Sequence, residues 1–232
     1  MKHTIAKLFL TTLLVSCSSP KKDMQVTVEV KNLKKGTLYL ERVQDSALVA
    51  VDSIFLSREE AVVLQADLDH PELFYILLDR NQTDDVDNRI PFFGQAGEVS
   101  IQTTLDNYVT KAEVSGSPTQ EIYNAYLRVI RQFNNEELDL LAAYVQAQIS
   151  GNTDSLALAE QQSASLSKRK ILFTVNFAVN NANSVVAPYL ALSELPTVSK
   201  SLLDTIAASM SDDVANSRYG TLLTEYLSEL EN

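Results

Sequence analysis

The spacing of apolar residues changes once along this chain, and that change sets the fold class. From residue 24 to residue 117 apolar and polar residues alternate, as at Val26, Val28 and Val30. A period of two is typical of strands with one buried face. Beyond Ser117 apolar residues recur every three or four positions, the period of an α-helix. The sequence therefore predicts an α+β fold, with an N-terminal antiparallel β-sandwich or barrel followed by a C-terminal α-helical bundle.

Strand candidates separated by turn residues fill the predicted β domain, residues 24–117. The first two begin near Val26 and Leu38. The others cover residues 48–56, 61–66, 73–78, 89–93, 98–103 and 111–115. Because no helical segment lies between the strands to serve as a parallel crossover, we expect them to pair antiparallel.

The predicted helical domain covers residues 118–232 and opens with a clear start signal. Ser117 is a good N-cap, Pro118 suits the first helical position, and the Gln120 side chain is placed to return a hydrogen bond to the cap. Further helices are predicted over residues 152–183, 184–195, 198–210 and 216–230. Loops this short favour antiparallel packing of the helices.

The last predicted helix carries a continuous apolar stripe. Its members are Tyr219, Leu222, Leu223, Tyr226, Leu227 and Leu230. Such a stripe usually packs against other helices or a sheet, and we expect that here. The alternative is an exposed seam for a second subunit.

The N-terminus reads as an export signal. Lys2 and Lys7 precede an apolar run over residues 8–15 that is too short to cross a membrane as a helix. Residues 14–17, Leu-Val-Ser-Cys, resemble the lipobox of bacterial lipoproteins and contain the only cysteine of the chain. The resemblance implies that residues 1–16 are removed and that Cys17 carries a thioether-linked diacylglycerol, with acyl chains such as palmitate.

A lipid on Cys17 determines the expected location of the protein. Two or three acyl chains hold a protein on a bilayer essentially permanently. Residues 17–23 are polar after the cysteine and contain Pro20, which suits a tether. We therefore expect a lipid-anchored protein of the cell envelope, on the outer membrane, with the periplasmic or the surface face left open.

Composition excludes several kinds of chemistry. The chain has a net charge of −11, which argues against nucleic acid as a partner because phosphate binding needs clustered lysine and arginine. One cysteine and two histidines cannot form an internal disulfide, a CxxC redox pair or a Cys/His zinc site.

The N-terminal half resembles a known family. The residues that carry the resemblance are Val26 and the segments 36–40 (Gly-Thr-Leu-Tyr-Leu), 51–54 (Val-Asp-Ser-Ile), 98–101 (Glu-Val-Ser-Ile) and 114–117 (Val-Ser-Gly-Ser). They look like the DUF4369 domain of Bacteroidetes lipoproteins, over about residues 24–118. In that family a thioredoxin-like module usually follows. This sequence ends at Asn232, where that module would begin, and has no CxxC, so the redox activity that the resemblance implies is not carried over.

No residue pattern predicts a catalytic site. His70 is the one histidine of the expected mature chain, so a Ser-His-Asp triad would have to use it. No nucleophile-elbow motif accompanies it, and the neighbouring Pro71 indicates an exposed turn. Thirty acidic residues offer many carboxylate pairs, but spacing alone identifies none of them as a glycosidase pair. We expect no catalytic residue, no cofactor and no resident metal.

One acidic loop is a weak calcium candidate. Asp84, Asp85, Asp87 and Asn88 place several oxygen ligands together, as calcium requires. The loop lacks the central glycine and the distant glutamate of an EF-hand. A solvated acidic hairpin loop is the favoured interpretation.

Three Asp-Ser/Thr-aliphatic triplets look like the O-glycosylation pattern of exported Bacteroidetes proteins. Their acceptors would be Ser46, Ser155 and Thr205. The alternative is ordinary turn and helix-cap chemistry, which uses the same residue types. A similar triplet at Asp52 lies inside a predicted strand.

Three functions remain open at this point. The favoured one is a non-catalytic binding or scaffold lipoprotein with an unidentified protein partner in the envelope. The second is an accessory subunit of an envelope thiol-redox or peroxide-handling system whose redox centre lies on a partner. The third, and least favoured, is a carboxylate-dependent hydrolase.

The expected use of Cys17 as a lipid anchor leads to the first testable prediction. Because the lipid consumes the only thiol, the lipid-modified chain by itself will show no thiol-dependent activity. A disulfide-reduction assay and a thiol titration on purified membrane-form protein check this. Unmodified chain that retains a reactive Cys17 is the positive control for the titration, and a thiol on the membrane form would contradict the prediction.

Overall fold

The computed structural model describes residues 22–80 and 88–230. Within these ranges the strands are β1 Met24–Lys31, β2 Gly36–Gln44, β3 Ala47–Leu56, β4 Val62–Ala66, β5 Glu72–Asp79, β6 Arg89–Gly94, β7 Gly97–Thr104 and β8 Glu113–Ser115. The helices are α1 Pro118–Ser150, α2 Thr153–Asn180, α3 Val186–Glu194, α4 Lys200–Ser209, α5 Asp212–Ala215 and α6 Arg218–Glu229. All of these strands were predicted, and the α+β fold class is confirmed.

The strands form two four-stranded sheets, β4-β1-β7-β8 and β3-β2-β5-β6. Pairing is antiparallel except between β1 and β7, which run parallel from Met24 opposite Gly97 to Lys31 opposite Thr104. The expectation of purely antiparallel pairing was therefore wrong at one place. The chain between β1 and β7 passes through the second sheet, so strands take the role that a crossover helix has in other parallel pairs.

The sandwich core lies between the two sheets and follows the period-two pattern of the sequence. Val26, Val28 and Val30 of β1 are all buried there. They face the inner sides of β2 and β5, from which Leu40 and Ile76 enter the same core.

Strand β5 is buried on both faces, because the first sheet packs on one side of it and the helices pack on the other as a third layer. Phe74 and Ile76 point into the sandwich core, whereas Leu73 and Tyr75 pack against helical residues. The run of apolar residues from 73 to 78 has no polar alternation, as expected for a strand covered on both sides. The second sheet is thus the middle layer of the molecule.

Helix α1 starts where the sequence predicts, but one of its capping bonds is different. The Ser117 hydroxyl accepts from the Gln120 N–H at 3.1 Å, and Pro118 is the first helical residue. The Gln120 side chain does not return to the cap. Its amide oxygen accepts instead from the Phe93 N–H of β6 at 2.7 Å. Of the two hydrogen bonds of the predicted capping box, the one to the Ser117 hydroxyl is confirmed. The prediction for the Gln120 side chain is wrong, because the buried Phe93 N–H of β6 binds its amide oxygen instead.

The remaining helices follow the predicted order with shifted ends. Helix α2 ends at Asn180, three residues early, and α4 and α6 begin two residues late, at Lys200 and Arg218. The four-residue helix α5, capped by the Ser211 hydroxyl, was not predicted. A single turn is too short for a periodic apolar signal to appear.

The stripe on α6 is divided between the core and the surface. Leu223 and Leu227 are buried against α2, α3 and α4 residues. Leu222 and Leu230 remain 40% and 46% exposed. The prediction that the stripe packs inside the fold is therefore confirmed for the edge with Leu223 and Leu227. The edge with Leu222 and Leu230 is exposed to solvent. Among the helices of the described ranges, none combines the length and the apolar character that a membrane span requires.

The Gln120–Phe93 bond leads to a stability prediction. Replacing Gln120 with Leu removes the acceptor and leaves a buried N–H without a partner, which costs about 1–3 kcal/mol of the free energy of unfolding. Urea denaturation measures this as a lower midpoint. The matched control is Gln132→Leu, on an exposed position of the same helix. Equal midpoints for the two variants would contradict the role given to Gln120.

Candidate binding groove

A groove of about 540 Å³ opens where the second sheet meets helices α3 and α6. We call it the junction groove. Its lining residues are Val43, Leu73, Tyr75, Tyr189, Leu192, Ser193, Arg218, Tyr219, Leu222, Glu225, Tyr226 and Glu229. The volume lies within the range of small-ligand and peptide side-chain sites.

Aromatic packing forms the back of the groove. Phe93 of β6 is fully buried, and the rings of Tyr123, Tyr189 and Tyr219 meet it edge-on with centroids 5.2, 5.1 and 6.3 Å away. The rings of Tyr189 and Tyr219 also contact each other at 5.4 Å. Edge-on contacts of this kind add to the energy of burial and hold the rings in place. Tyr189 and Tyr219, two of the four tyrosines in the groove lining, are therefore held rigidly.

A hydrogen bond joins α6 to β5 at the same place. The Leu73 N–H donates to the Tyr219 hydroxyl at 3.1 Å. The pairing of β2 with β5 ends at Arg42 and Phe74, one residue short of Leu73. The Tyr219 hydroxyl thus accepts from a strand N–H that lies beyond the last residue pair of β2 and β5. This hydrogen bond joins the β5 and α6 walls of the groove.

Glu72, Arg42 and Arg218 form an ion-pair cluster, the Glu72 cluster, which includes Arg218 of the groove lining. Glu72, whose side chain is 11% exposed, accepts from Arg42 Nη1 at 3.1 Å and from Arg218 Nη1 at 3.2 Å. Arg218 also donates to the Val43 carbonyl oxygen. Because Arg218 is the first residue of α6, these bonds pin the start of that helix to β2 and β5.

Tyr75, Tyr189 and Tyr219 of the groove are uncharged phenols at neutral pH. Burial raises the pKa of Tyr219 to about 12, against a smaller lowering by the Leu73 N–H. Burial likewise raises the pKa of Tyr75 and of Tyr189. Each neutral hydroxyl can both donate and accept a hydrogen bond.

The rim of the groove is apolar with acidic edges. Leu222 is 40% exposed, and the exposed Glu225 and Glu229 lie one and two turns further along the same helix face. Arg218 is the basic residue of the lining, and its guanidinium is already bound to Glu72. The rim therefore attracts a ligand that combines an apolar group with a positive charge.

His70 lies in a separate cleft next to the groove. This cleft, of about 340 Å³, is lined by Arg42, Val43, Gln44, Asp69, His70, Pro71, Glu72 and Arg218. His70 is half-buried there. None of these eight described residues is a serine, threonine or cysteine, so the cleft does not bring a nucleophile to the histidine.

The other predicted sites fall outside the groove. Cys17, Asp84, Asp85 and Asp87 lie outside the described residues, and Asn88 is a half-buried residue just before β6. Across the described part of the chain, no group of three or more histidine, cysteine, aspartate or glutamate side chains is arranged to hold a metal ion.

The candidate glycosylation residues are all exposed. Ser46 lies in the β2–β3 turn at φ 68°, and the Ser155 N–H bonds to the Asn152 side chain that caps α2. The Thr205 hydroxyl donates to the Ser201 carbonyl oxygen at 2.9 Å. Turn and cap chemistry thus accounts for the local role of Ser46 and Ser155, and their modification stays a prediction.

Sequence reasoning missed the junction groove. Tyr75, Tyr189 and Tyr219 are far apart in the chain and meet only through packing. Two signals pointed toward it: the uninterrupted apolar run of β5 and the apolar stripe of α6. The first indicates a strand covered on both faces, and the second supplies Tyr219, Leu222 and Tyr226 to the lining.

Residues 24–123 match the family model DUF4369, a domain of unknown function. The match confirms the predicted resemblance and extends it into α1 as far as Tyr123, so it takes in the Gln120 bond to β6. Comparison with curated proteins and with solved structures gave no match.

The raised tyrosine pKa values lead to a prediction for alkaline pH. A folded-state pKa near 12 for Tyr219 exceeds the unfolded value near 10, so the unfolded chain loses its proton first. The resulting stabilisation is complete below about pH 10 and is lost as pH rises towards 12. The tyrosinate absorbance that Tyr219 contributes, measured as the difference between the wild type and Tyr219→Phe, will therefore rise together with the loss of near-ultraviolet circular dichroism. The variant Tyr219→Phe will show a shallower fall of stability over that range. Tyrosinate absorbance that develops fully at about pH 10 in folded protein would contradict the prediction.

Proposed function

We propose that this chain is a non-catalytic binding protein of the bacterial cell envelope, anchored to the outer membrane by lipid on Cys17. Its junction groove receives a segment of a protein partner. The observation that carries the proposal is the groove itself, with its four tyrosines, its preformed walls and its partly exposed Leu222.

The chemistry of the lining favours a peptide over a small polar metabolite. Tyrosine and arginine dominate the energetics of protein interfaces because they combine large contact areas with hydrogen-bonding groups. The rings of Tyr189 and Tyr219 are already held by Phe93, so a ligand orders few side chains when it binds. The acidic Glu225 and Glu229 favour a segment with lysine or arginine next to its apolar residue.

The position of the N-terminus supports a membrane-proximal groove. Lys22, the first described residue, forms an ion pair with Asp67. The Asp67 carbonyl oxygen accepts a hydrogen bond from Arg42 Nη1 at 3.2 Å. Arg42 also donates to Glu72, the carboxylate that binds Arg218 of the groove lining. Cys17 precedes Lys22 by five residues, a reach of about 18 Å at most. The proposed lipid thus places the groove near the bilayer, where envelope partners are concentrated.

The charge of the mature chain supports a body that stands off the lipid. Loss of residues 1–16 removes Lys2 and Lys7, which leaves 17 basic against 30 acidic residues, or −13. Such a body is repelled by an anionic membrane surface. The groove then stays accessible to a partner instead of lying against lipid headgroups.

The proposal is tested by selecting peptides from a random library on the wild-type protein. We expect enriched peptides to carry a large apolar residue beside lysine or arginine. Leu222→Lys removes the apolar contact and places a positive charge in the groove at an exposed position that the fold tolerates, and it will weaken binding of these basic peptides at least tenfold, about 1.4 kcal/mol.

Leu230→Lys is the matched control, because Leu230 directly follows the last residue of α6 with similar exposure and lies outside the groove lining. This variant will bind as the wild type does. Peptides that bind both variants equally, or a selection without enrichment, would refute the groove as the binding site.

A further inference from the structure

The outer parts of α1 and α2 form a two-helix arm, residues 131–150 and 153–170. Of the residues in the arm, Ala147, Ala159 and Leu166 are the buried ones. The arm is therefore a pair of helices with little covering beyond each other. Helical hairpins of this kind are stable mainly where a further helix or another chain adds to the packing.

Helix α1 carries two apolar seams along the arm. The seam toward α2 runs through Phe133, whose ring lies 5.7 Å from that of Phe173, and through Leu140 to buried Ala147 at seven-residue steps. A second seam, which we call the outer stripe, consists of Leu138, Leu141, Val145 and Ile149. All four are exposed. Leu141 of the outer stripe follows Leu140 of the seam toward α2 by one position. The outer stripe therefore lies about 100° around the helix axis from that seam.

Two seams at this angle are typical of a helix with two neighbours. A helix in a four-helix bundle packs against one helix on each of two adjacent faces. In the arm, α2 covers the first seam, and no described residue of this chain buries the second. The outer stripe has the spacing of a coiled-coil seam that lacks its partner.

The outer part of the arm, together with the loop that joins its two helices, is depleted of charge. Residues 138–167 contain three charged side chains in 30 positions, Asp139, Asp154 and Glu160, against 21% charged residues in the whole chain. Solvated helices usually carry both signs of charge on their outer faces. Depletion of charged residues is the compositional mark of an interface core.

The outer stripe is nearly symmetric about its own centre. Leu141 and Val145 lie two residues on either side of residue 143, and Leu138 and Ile149 lie at the two ends. A two-fold axis that crosses the helix at the level of residue 143 therefore exchanges position 141 with position 145. It brings position 138 to within one residue of position 149. Self-complementarity of this kind is what an isologous contact between identical chains requires.

We propose that the outer stripe pairs with that of a second copy of this chain, with the two α1 helices antiparallel. Leu138 of one copy then packs against Ile149 of the other, and Leu141 against Val145, to give a four-helix bundle of two arms. The arrangement also sets Glu136, Glu137 and Asp139 of each copy against the uncharged residues 147–150 of the other, so like charges do not meet. None of the stripe residues lines the junction groove.

Sedimentation equilibrium of the full lipidated chain in density-matched detergent tests the proposal. The wild type will have twice the protein mass of one chain. Leu141→Glu will weaken association at least tenfold, whereas Leu158→Glu will not. Leu158 is the matched control because it lies on α2 of the same arm, with 54% exposure against 56% for Leu141. A monomeric wild type, or equal effects of the two substitutions, would overturn the proposal.

A crosslinking experiment in vesicles provides a second, independent readout. Ala142 is exposed next to the expected two-fold axis, so Ala142→Cys will form a reductant-sensitive dimer of identical chains. Ala157→Cys, at an exposed position of α2 away from the stripe, will not. Crosslinking of both variants to the same extent would indicate random collision and would also overturn the proposal.

Discussion

The structure depends on the burial of the outer face of the second sheet. Phe93 and Leu73 project from β6 and β5 away from the sandwich core, and in the described part of the chain the helices cover them. The aromatic rings around Phe93 supply the packing. Gln120 and Tyr219 satisfy two strand N–H groups that the sheet itself leaves without a partner. Packing and hydrogen bonding are thus coupled, because a helix that moved away would expose apolar rings and free two buried donors together.

The junction groove is a consequence of that contact. Helix α6 is held at its start by the Glu72 cluster and at Tyr219 by β5. Its far end inclines towards α4 and α2, where Leu227 is buried. The groove is the space between the start of α6, helix α3 and the sheet. Tyr189 and Tyr219 are rigid there because the same two rings pack the helices onto Phe93 of the sheet. The same residues therefore stabilise the fold and line the groove. Leu222 takes part in none of the contacts that hold α6 to the sheet, so it can be changed without removing them.

Local patterns predicted much of this molecule. Alternation in residues 24–30 and the Ser117-Pro118 start signal identified β1 and α1 correctly, since both depend on neighbours in sequence. The parallel pairing of β1 with β7 and the use of Gln120 by Phe93 were predicted wrongly. Both involve residues 27 or more positions apart, where several partners compete and only the packed chain selects one. The groove was missed for the same reason.

By itself the sequence determined the order of strands and helices, the α+β class and the resemblance to DUF4369, because periodicity and short motifs are properties of local segments. It also excluded internal disulfide and CxxC chemistry by counting cysteines. The tertiary structure alone decided that the second sheet is covered on both faces, that four tyrosines from three elements line one groove, and that no described residue buries the outer stripe of α1. These features depend on the relative placement of distant segments, which side-chain packing sets and local periodicity does not encode.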